Sequence, residues 1–368
     1  MRALYVGLIS GTSMDGVDAA LVEFEGARFS GLLATASATY DVALRTRLLK
    51  LQRDEPAISL RELAELDVAV ASTFVTAAQR LLADTKLSAT AVSAIGSHGQ
   101  TVFHDPRGVG SSLQLGDPNL IAARCGITTV ADFRRRDIAC GGEGAPLVPA
   151  FHQAAFGNAH EIRCVVNIGG IANITYIPSD GAAVIGFDTG PGNGLMDEWV
   201  FRQRGAAYDA NGDYAASGTV STALLDALLA DPYFSRSAPK STGRGDFNLD
   251  WVQRIFPALG ALAPADVQRT LGELSARSII DAVRAHAPGT RRLLVCGGGA
   301  RNGWLMQRLT ELCALPTTAT DAEGLAAEWV EACAFAWLAM RTVNNLPGNL
   351  PSVTGARAAC ILGGIYRA

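Results

Sequence analysis

Residues 7–21 read GLISGTSMDGVDAAL, and the fold depends on what joins the two apolar halves of this stretch. Ala3–Ile9 is apolar, a small and polar run follows, and apolar residues then return at alternate positions, Val17, Ala19 and Leu21. A period of two predicts two strands joined by a turn. Successive backbone N–H groups bind phosphate when residues without bulk let the main chain approach it. Gly11, Thr12, Ser13 and Gly16 meet that need, and Thr12 and Ser13 add hydroxyls. Asp15 is the kind of ligand Mg²⁺ takes, one or two protein carboxylates with several waters kept. The same residues also suit a glycine-bearing hairpin turn with no ligand.

Two further glycine turns bear on that choice. NIGGIAN (167–173) sits between apolar stretches, and CGGGARN (296–302) sits between a strand pattern and a helix pattern. Gly297, Gly298 and Gly299 would let a flat ring or a phosphate lie against the main chain. None of these is a G-x-x-x-x-G-K-[ST] loop, and the spacing is wrong for a dinucleotide-binding fingerprint. Three such turns, two of them in hairpins, fit a nucleotide clamped between two lobes.

The remaining pattern is mixed α/β. Ser30–Ala38 alternates like a third strand, while Val42–Leu51 and Ser59–Thr85 carry helical spacing. AVSAIGSHGQTVFHD is expected as a strand ending in a polar, Gly-rich loop, and GDPNLIAARCGITTV as a Pro-initiated helix and a strand. A second half is expected to begin near Ala131. There EIRCVVNIGGIANITYIP repeats the layout of the opening hairpin, and GAAVIGFDTGPGNGLMDEWV reads strand, loop, helix. A loop-rich insert covers roughly residues 231–246, and LAAEWVEACAFAWLAMRTV is a long apolar helix. Two lobes are expected, 1–130 and 131–368, with the extreme C-terminus packing back on the first.

The chain has 368 residues, 49% hydrophobic and 18% charged, with a net charge of −4 and no long basic block. That argues against nucleic acid as the partner. Seven scattered cysteines without a C-x-x-C pair read as reduced thiols in a cytoplasmic protein. The start lacks a signal-peptide profile, and the apolar runs read as too short to span a bilayer.

Several side chains suggest chemistry. Asp188, in a loop of small residues after a strand, suits a general base, or equally an Asx turn; Gly190 to Gly194 would leave room for a substrate. His98, Gln100 and His104 in GSHGQTVFHD lack metal-ligand spacing and suit a plain polar turn or sugar recognition. Arg134, Arg135 and Arg136 lie between Asp132 and Asp137, as a solvated loop or an anion site. Glu331 lies on an apolar helix beside Trp329, where a carboxylate is costly unless it is paired or functional.

Eight segments taken together, GLISGTSMDGVDAALV, GSHGQTVFHDP, LQLGDPNLIA, TVADFRRRDIACGGEGAPLVP, NIGGIANIT, GFDTGPGNGLMD, CGGGARN and EACAFAWLA, resemble the anhydro-N-acetylmuramic acid kinase family. They run in the family's order over nearly the whole chain. The resemblance implies the two-lobed actin-like ATPase and sugar-kinase fold, α/β, with duplicated ribonuclease H-like domains and a central cleft. It implies ATP and Mg²⁺, a homodimer, and no nucleic acid or membrane as partner. The first phosphate hairpin would be Gly11, Thr12, Ser13, Met14, Asp15, Gly16, Val17 and Asp18, with Asp15 toward the metal. The second would be Asn167 to Asn173, including Gly169 and Gly170, and the adenosine segment Gly297 to Gly299.

The family opens 1,6-anhydro-N-acetylmuramic acid with water and phosphorylates O6, in cell-wall recycling. Its base falls on Asp188, with Glu331 positioning substrate or water. Candidate sugar ligands are His98, Gln100, Arg134 and Asn193, with an arginine of 134–136 pairing the lactyl carboxylate. One departure is Glu143, where the resemblance leads to Gln; an acid there would oppose an anionic sugar. A kinase for a simpler anhydro sugar such as levoglucosan would share the nucleotide motifs. A non-catalytic ATP-gated binding protein would share the turns but leave Asp188 without a task.

Overall fold

The computed structural model describes residues 2–11, 13–54, 56–238 and 240–368. They form two compact units, residues 1–155 with 329–368, and residues 156–328.

In the first unit, the opening hairpin is β1 (Arg2–Ile9) and β2 (Gly16–Glu25), followed by β3 (Arg28–Thr39). Each is antiparallel to its predecessor. After two helices come β4 (Val92–Ser97), β5 (Gln100–Asp105), β6 (Ser111–Leu115) and β7 (Thr129–Ala131). β4 lies parallel to β1, and β7 parallel to β4, so the sheet order is β3-β2-β1-β4-β7. The stretch after β4, expected as a polar loop, is itself a strand: β5 and β6 pair as a separate antiparallel hairpin.

The crossover from β3 to β4 contains helix Leu60–Thr85. Its start is capped by Ser59, whose side chain accepts from Glu62 N, and Lys86 ends it in a left-handed conformation (φ 56°). Leu66, Val70, Phe74, Ala77 and Leu81 are buried at helical spacing. The expectation that no apolar run could span a bilayer needs correcting. By length (26 residues) and hydropathy (1.2 over its most apolar window) this helix could cross one. Its apolar face is instead part of the core over the β1–β2 hairpin.

Helix Val330–Val343 covers the same sheet at very close range. Gly7 and Gly96 are register partners on β1 and β4. A Cβ on Gly7 would collide with the carbonyl of Ala332, and one on Gly96 with that of Phe335. The helix lies directly on a two-strand glycine floor.

The second unit contains β8 (Arg163–Ile168), β9 (Ile171–Ile177), β10 (Ile185–Pro191), β11 (Arg292–Cys296) and β12 (Thr317–Ala319). β8, β9 and β10 are successively antiparallel, β11 is parallel to β8 and β12 to β11, giving the order β10-β9-β8-β11-β12. Helix Pro264–His286 buries Val267, Leu271, Leu274, Ile279 and Ile280 in a core shared with Val166, Ile174 and Phe187. Strand for strand, this is the plan of the first sheet. The repetition legible in two hairpins extends to five strands, as in the duplicated ribonuclease H-like domains of actin-like ATPases and sugar kinases.

The dividing line differs from the one expected at 131. β7 completes the first sheet beside β4, and the strand Gly364–Tyr366 pairs antiparallel with β7. The helix that follows β7 (Phe133–Ala139) carries Asp137, fully buried, whose carboxylate accepts from Asn349 Nδ2 (2.7 Å), Thr354 Oγ1 (2.9 Å) and Gly144 N (2.8 Å). These long-range bonds keep residues 132–155 with the first unit.

Candidate active site

The turn between β1 and β2 is held from two sides by side chains. Ser10 Oγ reaches Gly16 O and Gln100 Oε1, both at 2.6 Å, and Gln100 Nε2 donates to Gly11 O at 3.3 Å. From helix Val42–Asp54, Arg45 donates to the carbonyls of Met14 (3.1 Å) and Ser13 (3.4 Å). The carbonyls of Gly11, Ser13, Met14, Asp15 and Gly16 are thus engaged. What the turn offers a ligand is N–H groups other than that of Met14, which donates to Gly11 O (3.3 Å). Met14 is left-handed (φ 49°), its side chain fully buried. Val17 is also core, and Met14, its N–H on Gly11 O and its carbonyl on Arg45, shapes the turn rather than meeting a ligand.

A Cβ on Gly11 would meet nothing within 4 Å, while one on Gly16 would strike the Ala38 carbonyl. Gly11 therefore opens onto free space, and Gly16 is required by the fit of β3 rather than by a phosphate. Asp15 is exposed and accepts from Ser13 Oγ at 2.7 Å; Asp18 accepts from Ser37 Oγ at 2.7 Å. Thr12 lies outside the described residues.

In the second unit the equivalent turn is only Gly169 and Gly170, and main chain holds it. Gly192 N and Gly194 N donate to Gly170 O (3.0 and 3.1 Å), and Asn193 N donates to Gly169 O (2.7 Å). Ser275 Oγ in turn donates to Gly192 O (2.7 Å). A Cβ on Gly192 would strike the Gly169 carbonyl. The glycines after Asp188, expected to leave room for a substrate, thus make room for the turn, and Gly190 (φ 142°) accommodates the Phe234 ring.

Asn193 Nδ2 donates to Ile168 O (3.3 Å) and would stand 3.8 Å from a Cβ on Gly298. Of the three consecutive glycines, Gly297 (φ 79°) packs on Asn167 and Ile168, and Gly299 packs on the Ile168 side chain. Gly298 alone is open. Asn167, Gly169, Gly170, Asn193 and Gly297–Gly299 are therefore neighbours.

Asp188 stands on β10 opposite Asn173, at a bulge where Gly190 next pairs with Ala172. Bulges re-aim side chains beside active sites. Its Oδ2 accepts from Thr242 N (3.0 Å), its carbonyl accepts from Tyr233 Oη (2.7 Å), and its N donates to Lys240 O (3.2 Å). Burial, and then the Asp188 charge, push the Tyr233 hydroxyl well above its ordinary pKa, keeping it a neutral donor. Ser10, Arg45, Tyr233 and Thr242 escaped the sequence reading; only Ser10 lies within a motif, and the other three reach their turn or carboxylate from distant segments.

A second set of groups lies in the first unit. His98 Nε2 accepts from Arg134 Nε at 3.0 Å, and Arg134 also donates to Gly144 O at 2.8 Å. Burial first and the guanidinium second hold the His98 pKa well below the ordinary value, so the ring is neutral with its proton on Nδ1. The His98 ring lies 4.6 Å from that of Phe335, one helical turn beyond Glu331.

Gln100, expected to touch sugar, is buried with its amide engaged at the first turn. His104 Nδ1 lies 3.0 Å from Ser112 Oγ, and Arg135 is bonded to Asp132 (2.6 Å). Glu143, the acid at an expected Gln position, is neutralised by Arg107, whose Nε donates to it at 2.9 Å. Among the described residues no three His, Cys, Asp or Glu side chains form a metal cluster. Asp15, an exposed hard carboxylate, fits the single protein ligand that a water-rich Mg²⁺ needs.

The family model for anhydro-N-acetylmuramic acid kinase matches residues 3–368. A protein of that name from Saccharophagus degradans is 49% identical over 371 residues, covering 99% of each chain. One from Shewanella halifaxensis is 50% identical over 373 residues, covering 100% of this chain and 99% of its own. Among solved structures, component A of (R)-2-hydroxyglutaryl-CoA dehydratase from Acidaminococcus fermentans superposes with a TM-score of 0.50, covering 93% of this chain and 99% of its own. At 10% identity that likeness is one of fold. With the duplicated sheets, the two glycine turns and the fixed aspartate all accounted for, the chain belongs to the anhydro-N-acetylmuramic acid kinase family.

Proposed function

We propose that this chain is an ATP-dependent phosphotransferase that opens 1,6-anhydro-N-acetylmuramic acid with water and phosphorylates O6. The product, N-acetylmuramic acid 6-phosphate, belongs to cell-wall recycling. The observation that carries the reading is a glycine turn at the same place in both duplicated sheets, the second with a clamped carboxylate beside it. The chain's membership of the family supports the choice of sugar.

The chemistry needs a base for water, because O6 is bonded to C1 in the anhydro ring and carries no proton. Asp188 takes one proton from water as its oxygen bonds to C1, and the other stays on the new C1 hydroxyl. The C1–O6 bond breaks, O6 takes the γ-phosphoryl group, and ADP leaves with the electrons of the broken P–O bond. Thr242 N fixes the carboxylate for that task, and such a base contributes about 10²–10⁴-fold.

The N–H groups of the two turns bind the phosphates, and Gly298 lies against adenosine. Mg²⁺, when bound, offsets phosphate charge, and Asp15 would hold it through water. Glu331 positions sugar or water, while Arg134, held by His98 and Gly144, presents its fork to the lactyl carboxylate. Asn193 reaches the sugar from beside the second turn. The protein acts in the cytoplasm as a homodimer.

Turnover of the anhydro sugar with ATP in ¹⁸O-water tests this directly. Label is expected at C1 and none in phosphate; label in phosphate, or no ATP dependence, sinks the reading.

A further inference from the structure

The insert between helix Pro232–Ser235 and helix Leu249–Ile255 carries a cation that the scheme above leaves without a task. Arg244 is exposed, yet its guanidinium lies over the main chain of the second turn. A Cβ on Gly170 would stand 2.8 Å from its Nε and 3.1 Å from a terminal nitrogen. The position is built. Lys240, buried, donates through Nζ to the carbonyls of Tyr233 (3.1 Å) and Phe234 (3.4 Å), pinning the start of the loop. Asn248 Nδ2 donates to the carbonyls of Arg244 (3.2 Å) and Gly245 (3.0 Å), pinning its end.

Between those anchors, Thr242 holds the Asp188 carboxylate. One short loop therefore fixes both the base and the arginine. The charge of Arg244 pulls down the carboxyl pKa values of Asp197 and Glu198, which burial pushes up. Neither acid forms an ion pair with it among the described residues. A forked cation so placed over a phosphate-type turn matches a tetrahedral oxyanion.

We propose that Arg244 contacts the γ-phosphoryl group of ATP and neutralises the charge on its oxygens during transfer, on the loop that orients Asp188. This rests on the kinase reading above. O6 supplies the electron pair of the new P–O bond, the pair of the breaking bond stays on ADP, and the three phosphoryl oxygens carry charge between them; a fixed guanidinium acts where that charge spreads.

The test uses the full chain, with Arg244→Gln, Arg244→Ala and Arg244→Lys. For Arg244→Gln, kcat is expected to fall about 10³-fold, as for an arginine serving phosphoryl transfer. Binding of a non-hydrolysable ATP analogue should weaken by about tenfold or more while ADP binding stays unchanged, because the lost bonds go to a group ADP lacks. Guanidinium ion should restore part of the Arg244→Ala rate, and Gly170→Ala, which displaces the side chain, should reproduce the analogue-specific loss.

Wild-type kcat in Arg244→Gln, or equal weakening of ADP and analogue, overturns the assignment and leaves the kinase reading standing. A wild-type chain without ATP-dependent turnover overturns both.

Discussion

The two glycine turns occupy the same place in the same sheet plan, yet they are built from different materials. The first is long, with six residues between Ile9 and Gly16, and side chains fasten its carbonyls: Gln100 from β5 and Arg45 from the helix after β3. The second is two glycines, and the backbone of residues 192–194 is laced into it. A long turn has the freedom to place a hydroxyl and a carboxylate such as Ser13 and Asp15 beside its amides, but that freedom must be removed by tethers. A two-residue turn needs no tether but leaves no side chain of its own, so its functional groups arrive from neighbouring segments.

The comparison breaks most visibly at the carboxylates. Asp188→Asn is expected to lower kcat by about 10³-fold, as removal of a general base does, with KM for ATP unchanged. Asp15→Asn, losing a ligand reached through water, is expected to lower kcat by about tenfold and to raise the Mg²⁺ requirement. ADP-release kinetics on both variants measure the difference. A loss in Asp15→Asn as deep as that in Asp188→Asn would mean that the first turn carries as much of the chemistry as the second.

Glycine substitutions sharpen it next. Gly192→Ala forces a methyl into the Gly169 carbonyl and is expected to cost about 1–3 kcal/mol of stability along with ATP affinity. Gly11→Ala opens onto free space and should leave the unfolding midpoint where it is, while weakening ATP binding. Denaturant unfolding with and without nucleotide separates the two.

The tethers come third. Gln100→Ala takes one of two partners from Ser10 Oγ and from Gly11 O, at about 0.5–1.5 kcal/mol, and KM for ATP should rise with it. Arg45→Ala, at the exposed side, should raise KM less and barely move stability. If Gln100→Ala instead raised KM for the sugar alone, Gln100 would be a sugar ligand after all.

The smallest effect is one of pH. Burial pushes the Asp197 carboxyl, in the first turn of the helix after Gly192–Asn193, up to about 7. The folded state therefore holds a proton that the unfolded chain releases near the ordinary value of 3.8, so stability falls as pH rises between those values and stays lost above them. Asp197→Asn should raise the unfolding temperature at pH 8 and leave it unchanged at pH 4. The reverse order would contradict the burial-driven shift.

Local pattern carried much of this. Alternation around residues 7–21 and 163–177 located both hairpins, and the loops of small residues marked Asp188 and Gly298. What stayed hidden depends on contacts between distant segments. Nothing near Gly16, Gly192 or Gly299 says that a neighbouring backbone or side chain, rather than a ligand, excludes a Cβ there. Arg45 and Arg244 sit in ordinary polar surroundings and reach their turns only through tertiary structure. That residues 132–155 stay with the first unit was illegible for the same reason, since Asp137 there is held by Asn349 and Thr354, more than two hundred residues on. Met14 and Val17 sit within a motif yet point into the core, which a motif cannot reveal.

The glycine floor under helix Val330–Val343 has a consequence for biosynthesis. That helix and the strand Gly364–Tyr366 leave the ribosome after residues 2–155 and the whole second unit, so the nascent first unit exposes the bare faces of Gly7 and Gly96 until then. The second unit is one unbroken segment and meets no such delay. During vectorial synthesis residues 156–328 mature before the unit that precedes them, and residues 2–155 wait as an incomplete intermediate for residues 329–368 to arrive.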